Sequence, residues 1–332
     1  MSGVLIFTIL IVIGALVFDF INGFHDTANA IATSVSTKAL KPRQAIVLAA
    51  VMNFLGALTF TGVAKTITSE IVDPFTLQNG QVVILAALLS AIAWNLITWY
   101  FGIPSSSSHA IIGSIAGAAI AAAGFTSLKY AGFLKIIEGL IISPLLAFVI
   151  GYIMYSIFKV IFKNNNLTKT NRTFRLIQIA TAALQAYSHG TNDAQKSMGI
   201  ITMALIANNY VTTTDIPLWV QIAAAISMGI GTSVGGWKII KTVGGKIMKI
   251  RPVNGVAADL TGALVIFGAT YVHLPVSTTH VISSGILGVG SAHRLKGVKW
   301  GTAQRMVVTW VITLPISAFL AAIIYYILNI FL

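Results

Sequence analysis

At 332 residues, with 56% hydrophobic and only 9% charged residues and a mean hydropathy of +0.88, the chain cannot build a water-soluble surface. Zero cysteines exclude disulfides, thiolate metal sites and cysteine nucleophiles. A formal net charge of +13 would suit nucleic acid, but the basic residues sit in the connections between apolar runs, which is a topology signal; no nucleic-acid role follows.

A spanning helix needs about 20 apolar residues. In chain order the candidate spans are residues 4–20, 45–64, 82–101, 136–158, 218–230, 256–271 and 306–332. None shows the short alternating pattern of a transmembrane β-barrel. The first run has neither a basic head nor a small-residue cleavage site and reads as a retained helix, not a signal peptide. Residues 1–38 and 176–208 are too long for one ordinary crossing, and each carries a Gly-Asp stretch. Both helices are therefore expected to break there.

Lys and Arg cluster in four connections: Lys38 to Arg43, Lys159 to Arg175, Lys238 to Arg251, and Arg294 to Arg305. The positive-inside rule makes these cytoplasmic. The connections "TSEIVDPFTLQNG" and "NNYVTTTD" are poor in basic residues and should face outward. Crossings then count as five net passes in each half, which turns the second half upside down and places both termini outside. That count takes 105–124 as a span; a re-entrant hairpin there would change it locally.

The chain also repeats itself. "IPSSSSHAIIGSIAG" from Ile103 recurs as "LPVSTTHVISSGILG" from Leu274, and "NGFHDTANAIATS" from Asn22 matches "HGTNDAQKSMGIIT" from His189. Two landmarks recurring in the same order indicate an internal duplication. The expected fold is thus an all-α integral membrane protein, a polytopic helical bundle of two inverted-topology repeats with broken or re-entrant helices. Residues 1–160 form the first repeat, 161–172 a cytoplasmic linker containing "NNNLTKT", and 173–332 the second repeat.

Carboxylates at membrane depth are costly and face a cavity, an ion or a partner. Asp26 and Asp193 are such groups, although capping a broken helix would also occupy them. A carboxylate among carbonyl oxygens suits a small cation such as Na+. Pro104 followed by Ser105, Ser106, Ser107 and Ser108, and Pro275 followed by Ser277, Thr278 and Thr279, read as prolines opening helices, with hydroxyls and free amides in the first turn. Such a turn suits an oxyanion; interhelical contacts are the structural use of the same hydroxyls. His25, His109, His189 and His280 adjoin these stretches as packing residues or proton carriers. Lys196 pairs with Asp193 or attracts an anion; both readings fit its place.

"GFHDTANA", "GTNDAQKS" and "LPVSTTH" resemble the paired signatures and the second-half hydroxyl motif of the inorganic phosphate transporter (PiT) family. The resemblance covers both halves. It implies Na+- or H+-coupled phosphate symport across the cell membrane by a multi-pass protein with extracellular or periplasmic termini, often a dimer, with no catalytic role. Na+ as coupling ion is favoured over H+, and no cofactor is implied. By matching position the resemblance puts cation ligands at Asp26, Asn29, Asp193 and Asn192. It puts phosphate ligands at Ser105 to Ser108 and at Ser277, Thr278 and Thr279. His25, Gln195 and Lys196 depart from the family pattern, and Gln195 becomes a further phosphate candidate. A sulfate or other oxyanion permease is the alternative. A membrane-embedded hydrolase, using Ser or Asp with His, is the remote one, since a duplicated, inverted arrangement has no obvious use in an enzyme.

Overall fold

The computed structural model describes residues 3–73, 75 and 79–331. Met1, Ser2, Leu332 and part of the expected outward loop, Pro74 and residues 76–78, lie outside the described residues. Among the described residues the chain is helical throughout and without strands. In the first half run α1 (Gly3–Ser36), α2 (Pro42–Ala57), α3 (Gly62–Glu70), α4 (Gly80–Phe101), α5 (Ser107–Ala123) and α6 (Tyr130–Ile161). The second half repeats the series as α7 (Leu167–Ala207), α8 (Leu218–Val234), α9 (Trp237–Gly245), α10 (Pro252–Tyr271), α11 (Thr278–Arg294) and α12 (Trp300–Phe331).

The correspondence extends to irregularities. The α2–α3 and α8–α9 pairs bend by 66° and 74°. Both α5 and α11 have 17 residues and are followed by a short 3-10 turn. Pro144 and Pro315 lie inside the 32-residue helices α6 and α12, where a missing amide and ring clash bend a helix. At 1.5 Å per residue α5 and α11 are about 25 Å long, short of a hydrocarbon core of about 30 Å. Helices α1, α4, α6, α10 and α12, together with the two bent pairs, are long and apolar enough to cross a membrane. Outward-facing Leu145, Val160, Phe319 and Ile330 give α6 and α12 an apolar surface suited to lipid.

Breaks do exist, but not where the length of the Gly-Asp segments predicts them. Helices α1 and α7 run uninterrupted through Asp26 and Asp193. Gly23 is a point of close approach instead of a hinge: a Cβ there would lie 2.7 Å from the Met228 carbonyl oxygen and 2.8 Å from the Thr232 amide nitrogen of α8. Gly190 meets the backbone of α2 at Asn53 in the same way. Helix α7 is longer still than 176–208, because its first turns, with exposed Lys169, Arg172 and Arg175, precede that stretch. Asn166 caps this helix by accepting from the Thr168 and Lys169 amides, so the link between halves is shorter than 161–172. The real break inside 45–64 falls at Leu58–Thr61, between α2 and α3.

The halves are interlocked. Helix α5 packs chiefly on α12 and α11 on α6, while α1 lies against α8 and α7 against α2. Each half's short helix is thus braced by the other half's last helix. The Trp310 indole on α12 donates to the Pro104 carbonyl just ahead of α5, at 3.3 Å.

Candidate functional site

Polar residues expelled from the lipid-facing surface collect where α1, α5, α7 and α11 meet. Asp26, Asn29, Asn192, Asp193, Ser105 to Ser108 and Ser277 to Thr279 are all buried. Ligand atoms of Asp26, Asp193 and His189 lie within 4.8 Å of one another, so the two carboxylates of the duplicated stretches converge.

The hydroxyl rows open helices, with one correction. Ser106 and Ser277 are the N-caps, accepting from the His109 and His280 amides at 3.0 and 3.3 Å. Pro104 and Pro275 lie two residues before these caps and set the extended approach instead of occupying the first helical position. First-turn amides of a helix lack intrahelical acceptors, which leaves those of Ser107 and Ser108 on α5, and of Thr278 and Thr279 on α11, without an intrahelical partner.

Hydrogen bonds tie the hydroxyl rows to the aspartates within each half and also between halves. Ser107 Oγ donates to Asp26 Oδ2 at 3.2 Å, and its counterpart Thr278 Oγ1 donates to Asp193 Oδ2 at 3.2 Å. Thr279 Oγ1 donates to Asp26 Oδ1 at 3.3 Å and accepts from Asn29 Nδ2 at 2.8 Å. Ser108 Oγ donates to the Val276 carbonyl at 2.8 Å, joining the two rows directly. Ser105 Oγ donates to Thr98 at 2.8 Å. Behind the rows the His109 and His280 rings are 4.5 Å apart, and His280 stacks on Trp310.

The two carboxylates differ in surroundings. His25 Nδ1 lies 2.7 Å from Asp26 Oδ1, and the Asn29 side-chain oxygen nearby has no hydrogen-bond partner. Asp193 accepts from Lys196 Nζ at 2.6 Å, Thr278 Oγ1 at 3.2 Å and Asn22 Nδ2 at 3.3 Å, with His189 Nε2 3.4 Å away and without a hydrogen-bond partner of its own. Asn192 reaches elsewhere, donating to Thr270 and to the Leu274 carbonyl and accepting from the Val276 amide. Gln195 accepts from the Ala64 amide at 3.0 Å and donates to the Thr191 carbonyl. It serves the start of α3 and does not join the hydroxyl rows.

Two buried acids escaped the sequence reading. Asp19 lies two turns before Asp26 on α1, and neither of its carboxylate oxygens has a partner. Its signal was an acid seven residues from Asp26 within an apolar run. Asp259 on α10 accepts from Thr33 at 2.5 Å and Thr181 at 3.1 Å, tying α1, α7 and α10 together. Its spacing from the two motifs carries no comparable signal.

The phosphate transporter family matches residues 22–321, nearly the whole chain and all of this site. The chain belongs to the phosphate transporter family. It is 78% identical over 330 residues, covering 99% of each chain, to a protein of Bacillus subtilis (strain 168) named probable low-affinity inorganic phosphate transporter. A Rhizobium meliloti (strain 1021) protein of the same name is 44% identical, over 94% of this chain and 93% of its own. Among solved structures, "The sodium-dependent phosphate transporter" superposes with a TM-score of 0.92 at 25% identity, covering 98% of this chain and 100% of the other. The relatives are named as transporters, not enzymes, and the apolar helices of this family member place it in a membrane.

Proposed function

We propose that this phosphate transporter couples phosphate entry to a cation, with Na+ favoured over H+, by alternating access between two inverted repeats, residues 1–160 and 173–332. On this reading both termini face outside the cell membrane, and α5 and α11 are the re-entrant helices whose N-terminal turns seat the anion. The observation that carries the coupling is the present use of the hydroxyls: Ser107, Thr278 and Thr279 all donate to aspartates.

Each hydroxyl has one proton to donate. While it rests on a carboxylate it cannot bind a phosphate oxygen, and a phosphate beside two bare carboxylates meets their repulsion. A cation on Asp26, with the spare Asn29 oxygen as a second ligand, neutralises the carboxylate and frees Ser107 and Thr279 to turn to phosphate. Hard oxygen ligands suit Na+, and the name of the solved relative supports that ion. Binding of each ligand then favours the other by the same free energy. Neutral donors with helix-terminal amides can hold a dianion without a fixed positive charge, which helps release. Asn192 joins the cation ligands only if its amide leaves Val276 during the cycle.

The decisive experiment is radiolabelled phosphate uptake into proteoliposomes with sodium and pH gradients imposed separately. Uphill accumulation on the sodium gradient alone is expected, with little competition from sulfate. Accumulation on the pH gradient alone would make the His25–Asp26 pair a proton carrier, and equal competition by sulfate would give the oxyanion-permease reading. Ser107→Ala and Thr278→Val each remove one donor. Each is expected to weaken phosphate binding about tenfold, since a hydrogen bond to a charged group contributes about 1.5–3 kcal/mol. Equilibrium binding of labelled phosphate to the purified variants checks this.

A further inference from the structure

Aligned on Asp26 and Asp193, the duplicated stretches place Lys196 where the first half has Asn29, each three residues after its aspartate. At this position the halves differ in charge, not merely in size. Lys196 is fully buried and its ammonium lies 2.6 Å from Asp193 Oδ1, on the same helix one turn away. The other oxygen, Oδ2, faces the Thr278 hydroxyl, the Asn22 amide nitrogen and His189 Nε2. The Asn22 side-chain oxygen has no partner and the Asp26 carboxylate lies within 4.8 Å, but the closest group to Asp193 is the Lys196 ammonium.

A dissolved Na+ needs several oxygens at short range. Around Asp26 such oxygens exist: its own carboxylate, the unpartnered Asn29 oxygen and the Thr279 hydroxyl. At Asp193 the ammonium already stands where a cation would sit, and a second positive charge beside it would be repelled at low dielectric.

We infer that Lys196 is a tethered substitute for the second half's coupling cation, so that only the Asp26 half takes up a dissolved ion in each transport cycle. The inference rests on the cation-coupled reading above. The Lys196–Asp193 pair keeps the second hydroxyl row beside a locally neutral site in every state of the cycle. The ion gradient then acts through the first half alone.

The test is a count of ions. Purified wild-type protein, saturated with phosphate, is expected to bind one radiolabelled sodium ion per chain; two would overturn the inference. Lys196→Asn, which copies Asn29, is expected to gain one sodium ion per chain and to raise the sodium-to-phosphate flux ratio in proteoliposomes by one. Lys196→Arg keeps the charge and should keep the wild-type ratio. The doubly neutral Asp193→Asn/Lys196→Gln protein avoids a buried unpaired charge and should also keep that ratio. A fall by one in the double variant, or an unchanged count in a phosphate-binding Lys196→Asn protein, would show that Asp193 carries a dissolved ion and refute the proposal. Failure of the wild type to move phosphate would instead defeat the transport reading. A gain of one ion in Lys196→Asn upholds the inference whichever cation drives the wild type.

Discussion

Replacing Asp26 by Asn should abolish cation-driven phosphate uptake while leaving the protein folded. Asp26 accepts from His25 at 2.7 Å, Ser107 at 3.2 Å and Thr279 at 3.3 Å, bringing together residues of α1, α5 and α11. Asn preserves the shape but removes the charge, and its amide nitrogen would face one of these donors. Three charge-assisted bonds are weakened together. Even one such bond, at about 1.5–3 kcal/mol, corresponds to roughly 10- to 100-fold in affinity. The cation loses its only charged ligand in the first half, so uptake should fall by at least about 100-fold. Initial uptake rates in proteoliposomes, with size-exclusion chromatography as the folding check, measure it. Residual phosphate binding should no longer respond to sodium. A variant that still accumulates phosphate on a sodium gradient would remove Asp26 from the coupling machinery.

The second large effect is on folding. Gly23→Leu places a side chain where the α8 backbone already lies, 2.7 Å from the Met228 carbonyl and 2.8 Å from the Thr232 amide. Neither atom can rotate away as the end of a long side chain could, so α1 and α8 must separate. Thr27 donates to the Thr232 carbonyl at 3.2 Å, and this interhelical bond would be lost with them. Overpacking costs about 1–3 kcal/mol where side chains can adjust; against backbone the upper end or more is expected. The thermal midpoint of the detergent-solubilised protein should drop steeply or the protein should fail to assemble. Gly268→Ala on α10, where a Cβ meets nothing within 4 Å, is the control and should leave the midpoint unchanged or higher.

Much of the centre was legible because it is written twice. Asp26 with Asp193, and Ser107 with Thr278, stand out against apolar surroundings, where the cost of burying polar groups leaves few uses for them. Their convergence follows from the interlocked halves. The misplaced breaks have a physical cause: glycine marks both hinges and close backbone contacts, and sequence alone does not separate the two. Gly23 and Gly190 are contacts. Conversely, the apolar run 45–64 hides the α2–α3 break at Leu58–Thr61, because hydropathy is insensitive to backbone direction. Lys196 was visible as a departure from the family pattern, but only its 2.6 Å approach to Asp193 distinguishes an ion pair from an anion contact. Asp19 carried the signal of an acid in an apolar run but has no counterpart in a repeated motif, and the engagement of Asn192 and Gln195 with Val276 and Ala64 depends on neighbours far away in sequence.

Coupling through hydroxyls shared between aspartate and phosphate has one direct measurement. Phosphate affinity is titrated at increasing sodium, and sodium affinity at increasing phosphate, on the same purified protein. The account predicts that each ligand tightens the other by the same factor and that Ser107→Ala shrinks this factor in both directions. Phosphate affinity that does not change between sodium-free and sodium-saturated protein, while sodium still binds at Asp26, would contradict it.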